Sequence, residues 1–315
     1  MSASASQCLE EVPCYACGSS RRTPFLIAED DLTGKPGRFP FVLCAECGFA
    51  YQCPRIGLAG IKEYYGQEYI AHRKPQNWGP LRIFVNRAME RLDRKKVGIV
   101  RRFVDLKPGG EALDVGCGAG TFLAALHRRC GTRPVGVDFI DLADSPGFES
   151  IEFHCGLFYE LDLGLERFDL VSMWHFLEHD YDPARSLAHA RAALKPEGRL
   201  IIEVPRLDSL SYRLYRERWP GLQAPQHTVL FTRETLMREV RRARLEVVDY
   251  LPYGAYPAYF YLFAGAAFKL LKGRGLNLSK VVLPYFLGQI LLSPVLLFER
   301  QLNLAMQTVV CRRGS

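Results

Sequence analysis

Ala112-Leu113-Asp114-Val115-Gly116-Cys117-Gly118-Ala119-Gly120-Thr121-Phe122 is the stretch that decides the architecture of this 315-residue chain. A short apolar run ends in glycines at every second residue and then turns helical, which reads as a strand, a tight nucleotide loop and a helix start. Glycine suits that loop because the backbone must turn with no Cβ in the way of a ligand lying against it. The helix that follows presents unpaired N–H groups at its N-terminus. The dinucleotide fingerprint Gly-x-Gly-x-x-Gly does not fit, because Thr121 stands where its last glycine belongs and the third glycine falls one place early, at Gly120.

Twenty residues after Gly118, Arg133-Pro134-Val135-Gly136-Val137-Asp138 reads as a second strand closing on a carboxylate. Nucleotide-binding α/β sheets put there the acid that takes two ribose hydroxyls, and an ionised carboxylate accepts both O–H bonds at once. A third apolar run, Phe168 to Trp174, leads into His175-Phe176-Leu177-Glu178-His179. A fourth, Gly198 to Pro205, follows the helical Ala184 to Leu194. Four such units in order, with Asp114 two residues ahead of the glycines, resemble the class I S-adenosylmethionine (SAM) methyltransferases from about residue 100 to 250.

That resemblance implies an α/β fold: a Rossmann-like, seven-stranded sheet with helices on both faces, the SAM-binding domain spanning 105–250. It implies SAM as cofactor, held by Gly116, Gly118, Gly120 and Asp138, with Asp114 shaping the loop and Trp174 in the same pocket. The segment His154-Cys155-Gly156-Leu157-Phe158-Tyr159 lacks the acidic residue that commonly caps the adenine amino group, so the Leu157 backbone is the candidate there.

Ahead of this domain, Cys14-Tyr15-Ala16-Cys17-Gly18 and Cys44-Ala45-Glu46-Cys47-Gly48 each put two sulfurs on one side of a tight turn. Two such turns complete a tetrahedral four-thiolate site, and a site with no vacancy is structural for zinc. Cys14, Cys17, Cys44 and Cys47 are the expected ligands, Cys53 a spare, and Cys8 a weaker one. A redox pair explains either half alone but not two in series. The expected units are a zinc ribbon at 1–60 and a helical linker at 61–104. A similar ribbon precedes some sugar and natural-product methyltransferases and helps close the substrate side. The tyrosine-rich exit Lys62-Glu63-Tyr64-Tyr65-Gly66-Gln67-Glu68-Tyr69 either hydrogen-bonds a substrate or packs the ribbon on the domain, packing being favoured.

Methyl transfer from a sulfonium is an in-line displacement in which donor and acceptor must be aligned and an acceptor proton often removed. His175 stands just past the third strand, a candidate base or cofactor-pocket residue, since histidine titrates near working pH; the bland alternative is a helix-starting residue that bonds backbone only. Glu178-His179 with Asp182-Pro183 resembles a turn shared by many family members and reads as structural. Farther on, Pro225-Gln226-His227-Thr228-Val229-Leu230-Phe231 and Thr232-Arg233-Glu234-Thr235-Leu236 resemble the subgroup near the ubiquinone-biosynthesis O-methyltransferases, so His227 competes with His175 as the base.

Composition bounds the remaining classes. Hydrophobic residues make up 48% of the chain, ample for a core, and the ten cysteines fall as two paired knuckles plus scattered positions, as reduced thiols do. The start lacks a basic segment and an apolar run, so the expected location is cytoplasmic. The net charge of +7 concentrates in Arg82 to Arg102, a helix facing acidic surfaces or, as favoured, water. Nucleic acid is not an expected partner: the ribbon lacks interleaved basic and aromatic residues, and Trp174-His175-Phe176-Leu177 is not the polar signature of nucleic-acid methyltransferases.

Between strand candidates Leu245–Tyr250 and Ala305–Val310 lie some fifty residues that the fold does not need. Leu251 to Phe268 and Val281 to Phe298 carry no charge, and a cationic link with Lys269, Lys272, Arg274 and Lys280 joins them. Each run is short for a span, and Pro257, Pro284 and Pro294 interrupt the pair. The favoured reading for 251–303 is a shallow or re-entrant hairpin at the inner membrane face, against a substrate lid on the protein's own core or a dimer interface; 304–315 is the last strand and tail. The sequence thus predicts a SAM-dependent methyltransferase acting on an oxygen, with carbon as the other choice, of a small-molecule, lipid-linked or glycan acceptor. The alternative is a zinc-ribbon membrane adaptor with a vestigial nucleotide pocket.

Overall fold

Short strands flanking the two cysteine turns open the chain: β1 (Leu9–Glu10), β2 (Arg22–Ala28), β3 (Phe39–Cys44), β4 (Ala50–Gln52) and β5 (Arg55–Ile56), then a one-turn helix α1 (Leu58–Ile61). The computed structural model describes residues 9–65, 82–143, 147–271, 274–276 and 278–314, and the side chains at 278–280 and 295 lie outside that description. Cys8, Gly66, Gln67, Glu68, Tyr69 and Lys272, and the Lys280 side chain, therefore fall outside the described residues.

A long helix α2 (Arg82–Phe103) carries the run of cations that the sequence concentrates there. Then strands and helices alternate: β6 (Glu111–Val115), α3 (Thr121–Cys130), β7 (Arg133–Asp138), β8 (Glu152–Cys155), β9 (Phe168–Trp174), α4 (Pro183–Ala193) and β10 (Leu194–Pro205). The chain continues through α5 (Leu210–Tyr215), β11 (Val229–Leu230), α6 (Arg233–Arg242), β12 (Leu245–Leu251), α7 (Ala258–Leu271), α8 (Leu278–Leu291), α9 (Ser293–Leu296), α10 (Glu299–Leu302) and β13 (Met306–Arg313). Local chemistry sets several ends. Asp182 caps α4 by accepting from Arg185 N, with Pro183 in the first turn, and Thr232 with Thr235 closes a capping box on α6.

Seven strands form one sheet in the order β12-β13-β10-β9-β6-β7-β8. β6 through β10 run parallel, and β13 lies antiparallel between β10 and β12. Alternation within each strand sorts the two faces. Leu113, Val115, Val171 and Met173 meet Leu187 and Ala190 of α4 and Leu236 and Val240 of α6. Ala112, Leu170 and Trp174 meet Val97 and Val100 of α2 and Phe122, Leu123 and Leu126 of α3. The expected seven-stranded α/β sheet with helices on both faces is what the chain builds.

The ribbon is joined to this body through backbone. β11, supplied from beyond β10, pairs with β4 and completes a four-stranded sheet in the order β11-β4-β3-β2, and Gln52 N donates to Thr228 O at 2.8 Å. Arg238 also donates to Cys47 O at 2.9 Å. A shared core of Phe39, Phe41, Ile61, Trp219, Tyr261 and Met306 then fills the space between ribbon, sheet end and insertion.

That core takes in one arm of the apolar helical insertion, which lies between β12 and β13 as expected. α7 is interior, burying Ala258, Tyr259, Tyr261, Ala264, Gly265 and Phe268, and Tyr215 Oη donates to Leu262 O at 2.7 Å. The tip is docked on the ribbon, where Leu276 N donates to Leu32 O at 3.0 Å. A two-armed re-entrant hairpin would need both arms free, and one is packed. α7 and α8 have 14 residues each, about 21 Å at a rise of 1.5 Å per residue, short of a ~30 Å hydrocarbon core. No helix among the described residues is long and apolar enough to cross a membrane. What stays outside is the face of α8 and the turns after it, with Leu287, Ile290, Leu291, Leu297 and Phe298 exposed.

Candidate active site

Gly116, Gly118 and Gly120 all hold positive φ, at +73°, +51° and +68°, the left-handed region that L side chains avoid. The loop they make is strapped to the end of the neighbouring strand: Gly116 N and Cys117 N donate to Val137 O at 2.8 and 3.0 Å. Gly118 N donates to Asp138 Oδ2 and Ile140 N to Oδ1, each at 3.0 Å. These bonds fix the Asp138 carboxylate at the strand end, where it lines a cavity.

That cavity opens at the carboxyl ends of the parallel strands. Gly116, Gly118, Val137, Asp138 and Phe139 form one wall, Leu157, Phe158, Trp174, His175, Phe176 and His179 another, and Leu58, Ile61 and Tyr65 close it from the ribbon side. Gly116, Gly118, Asp138, Leu157, Trp174 and His175 thus come together as a group. Gly120 and Asp114 do not line it. At Gly120 the left-handed φ of +68° demands the glycine, and a Cβ there would face Ile151 and Phe148 of the packed loop and not the cavity. Asp114 is buried behind the loop, accepts from Ser172 Oγ at 2.6 Å, and is pushed up to about 7 by burial, which fits the loop-shaping role.

Of the expected tyrosines, Tyr64 packs edge-on against Phe39, whereas Tyr65 stands over Phe139 at 4.8 Å with its Oη 2.9 Å from His179 Nδ1. One therefore packs and the other reaches the cavity.

His175 takes φ +56°, a strained setting for a non-glycine residue, and lies between two buried carboxylates. Its Nδ1 is 3.3 Å from Glu178 Oε1 and its Nε2 3.3 Å from Glu203 Oε1. Burial alone would lower its pKa, but the two carboxylates outweigh that and hold it up to about 9. At neutral pH this imidazole is cationic and has no lone pair to take a proton, so the base role expected of it does not suit its surroundings. Glu203 is held below its usual range: burial opposes this, but His175 and the backbone N–H groups of Ala255 (2.6 Å) and Tyr256 (3.0 Å) prevail.

His227, the other expected base, does not line the cavity. It lies behind His179, the two rings meeting edge to face at 4.4 Å, and burial pushes both down to about 3, each also feeling a neighbouring imidazole. Both are neutral. Sequence reasoning treated Glu178 and His179 as a structural turn and passed over Glu203; the available signal was an acid inside the apolar run Leu200 to Pro205.

In the ribbon, the sulfurs of Cys14, Cys17, Cys44 and Cys47 all lie within 4.8 Å of one another, with Cys14–Cys47 at 3.6 Å and Cys17–Cys44 at 3.4 Å. Four thiols with Zn–S bonds of about 2.3 Å would sit at similar mutual distances on a tetrahedron, so the set fits zinc. Gly18 and Gly48, at φ +74° and +68°, let each knuckle close with N–H donors to Cys14 O and Cys44 O. Cys53 is not part of the cluster; its thiol approaches Glu11 and Val12.

The model of the methyltransferase domain family matches residues 87–250, just over half of the chain. An uncharacterized 37.1 kDa protein in transposon TN4556 of Streptomyces fradiae is 34% identical over 116 residues, 34% of this chain and 34% of that protein. A ubiquinone biosynthesis O-methyltransferase of Bradyrhizobium sp. (strain ORS 278) is 29% identical over 154 residues, 45% of this chain and 60% of the relative. The chain thus spans less than two thirds of the length of either. Geranyl diphosphate C-methyltransferase from Streptomyces coelicolor A3(2) superposes with a TM-score of 0.50 at 15% identity, over 71% of this chain and 80% of that one, a likeness of fold alone. The family match spans the glycine loop, Asp138 and the His175 turn, and the chain belongs to the methyltransferase domain family, with the class I SAM-dependent fold.

Proposed function

We propose that the protein transfers a methyl group from SAM to an oxygen of a small-molecule acceptor, lipid-linked or glycan in kind. The observation that carries this reading is the Asp138 carboxylate, fixed by two backbone N–H groups at the strand end and facing a cavity that also holds His175 and His179. Gly116 and Gly118 let the cofactor approach the backbone, Asp138 accepts from its ribose, and Leu157 with Trp174 borders its base. The apolar acceptor side, with Leu58, Ile61 and Phe176, suits a greasy or aromatic substrate. The resemblance to ubiquinone-biosynthesis O-methyltransferases supports oxygen over carbon.

Of the two neutral imidazoles it is His179 that lines the cavity, so the acceptor's proton falls to it, with His227 packed behind as a positioning residue and cationic His175 beside it. Turnover at saturating SAM tests this. His227→Gln and His179→Gln are expected to lower kcat by about a hundredfold, the usual scale of acid–base assistance, with the KM for SAM unchanged. His175→Gln is expected to lower thermal stability as well, because Glu178 and Glu203 lose their shared cation. Near-normal kcat in His227→Gln, His179→Gln and their double variant would refute the assignment.

We further propose that the protein contacts the cytosolic face of a membrane through α8 and the turns after it, where Ile290, Leu291 and Leu297 are 71%, 78% and 79% exposed. Apolar patches of that kind mark a partner surface. In flotation with phosphatidylglycerol vesicles, the wild type is expected to float and Leu287→Ser/Ile290→Ser/Leu291→Ser to remain below. Equal behaviour of the two removes the membrane reading.

A further inference from the structure

The apolar insertion begins against the cofactor cavity, and one buried carboxylate joins the two. Glu203, near the end of β10, is fully buried. Its backbone O accepts from His175 N at 2.9 Å, and its Oε1 lies 3.3 Å from His175 Nε2. The same carboxylate accepts from Ala255 N at 2.6 Å and from Tyr256 N at 3.0 Å, in the turn that leads into α7. Thr308 Oγ1 of β13 stands 3.2 Å from it as a further donor. A charge can stay buried when it is paired and hydrogen-bonded to this degree.

The junction is close-fitting at both ends. At Gly254 a Cβ would stand 2.6 Å from Glu203 Cδ, and 2.8 and 2.9 Å from its two oxygens, nearer than a side chain can come. Gly254 is not among the residues of positive φ, so close approach alone requires glycine there. At the other end, His175 holds φ +56°, a setting that persists only where surrounding contacts over-determine it. Both its N–H and its ring are tied to Glu203. The Tyr256 ring also meets the imidazole edge to face at 4.9 Å, so the insertion touches His175 directly as well.

We propose that Glu203, anchored by the first turn of the insertion, is a positioning residue that fixes the backbone and ring of His175 in the cavity wall, which makes the insertion a working part of the cofactor cavity. Glu203 is not among the residues that line the cavity, whereas His175 is, so its action runs through the histidine. The link stands on these contacts, and its part in turnover rests on the methyl-transfer reading. The charged and titratable groups facing His175 are Glu178 from its own turn, Glu203 from β10 and the neutral rings of His179 and His227. On the far side of Glu203, Glu299 of α10 feels its charge and is offset by Lys95 of α2.

The test follows the His175 ring by NMR in the full chain carrying isotope-labelled histidine, its signal assigned by its loss in His175→Gln. In the wild type the ring is expected to lose its proton near pH 9. Glu203→Gln keeps the shape of the side chain and removes its charge, so the midpoint should fall by about one pH unit or more. Gly254→Ala alters no charge, and its Cβ displaces the carboxylate, so the midpoint should fall there too. With that wall shifted, SAM binding by calorimetry should weaken about tenfold in each variant. The double variant should lose little beyond the larger single loss, because the two changes act through one contact path.

Gly265→Ala controls for mere loosening of the insertion. Its Cβ would stand 2.3 Å from Tyr215 Cδ2, which disturbs α7 away from Glu203. Its melting temperature should fall while the His175 titration stays in place. An unchanged His175 midpoint in folded Gly254→Ala, or an equal shift in Gly265→Ala, overturns the link, and this pair decides the matter even if Glu203→Gln does not fold. A His175 that moves as expected in a protein that binds no SAM sinks methyl transfer alone. SAM binding with an unmoved His175 sinks only the positioning role.

Discussion

Asp138→Ala is expected to weaken SAM binding at least a hundredfold while leaving the fold intact. The wild-type carboxylate accepts from Gly118 N and Ile140 N at 3.0 Å each and lines the cavity, where two ribose hydroxyls would bond it. Hydrogen bonds to a charged group contribute about 1.5–3 kcal/mol each, and two of them, at about 1.4 kcal/mol per tenfold, account for two or more decades. The loss also frees the Gly118 N–H and slackens the loop that Gly116 and Cys117 hold against Val137. Asp138→Asn should fall between the two, since an amide keeps one acceptor oxygen but turns N–H donors toward groups that already donate. Calorimetry with S-adenosylhomocysteine reads the affinity and circular dichroism the fold. A loss smaller than threefold in the folded alanine variant would remove Asp138 from the cofactor site. Absence of any binding in the wild type would instead favour the adaptor reading, in which the pocket is vestigial.

The residues in that prediction were legible in the sequence because their signals are local. A short apolar run from Ala112 to Val115, glycines at alternate positions and an acid closing the next strand depend on neighbours a few places away, and the structure puts β6 beside β7 in register, with Asp114 opposite Gly136. The His175 site was half legible. Its position past β9 follows from topology, but its charge state depends on Glu203, 28 positions on in a different strand, and on Ala255 and Tyr256 in a loop beyond β12.

The packing of the inserted helices was hidden for a different reason. A helix such as α7, apolar on nearly every side, has the same pattern whether it is wrapped by lipid or by protein. Only the partners decide, and here they are Tyr215, Trp219 and the ribbon core, none of them adjacent in sequence. The pairing of β11 with β4 was equally hidden, because two residues of strand carry no pattern of their own.

That pairing makes the ribbon's four thiols matter beyond the ribbon. Cys44 ends β3, Cys47 O receives Arg238, and β4 lies between β3 and the β11 contributed by the catalytic domain, so loosening the knuckles loosens the wall that Leu58, Ile61 and Tyr65 give the cavity. With zinc bound, we expect Cys44→Ser to lower the thermal midpoint by about 10 °C, the shift that ~3–5 kcal/mol produces in a domain of this size, and turnover to fall at least tenfold. Structural zinc sites hold more than enough free energy for that, about 10–16 kcal/mol in isolated fingers. SAM affinity should fall by less than tenfold, because Gly116, Gly118 and Asp138 belong to β6 and β7 and are strapped to each other without help from the ribbon. Zinc content by atomic emission, calorimetric melting and SAM binding on one preparation give the three readouts together. A wild-type protein free of zinc at the ribbon, or a Cys44→Ser variant that melts and turns over like the parent, would show that the sulfurs hold no structural ion and that β4 and β11 alone keep the cavity closed.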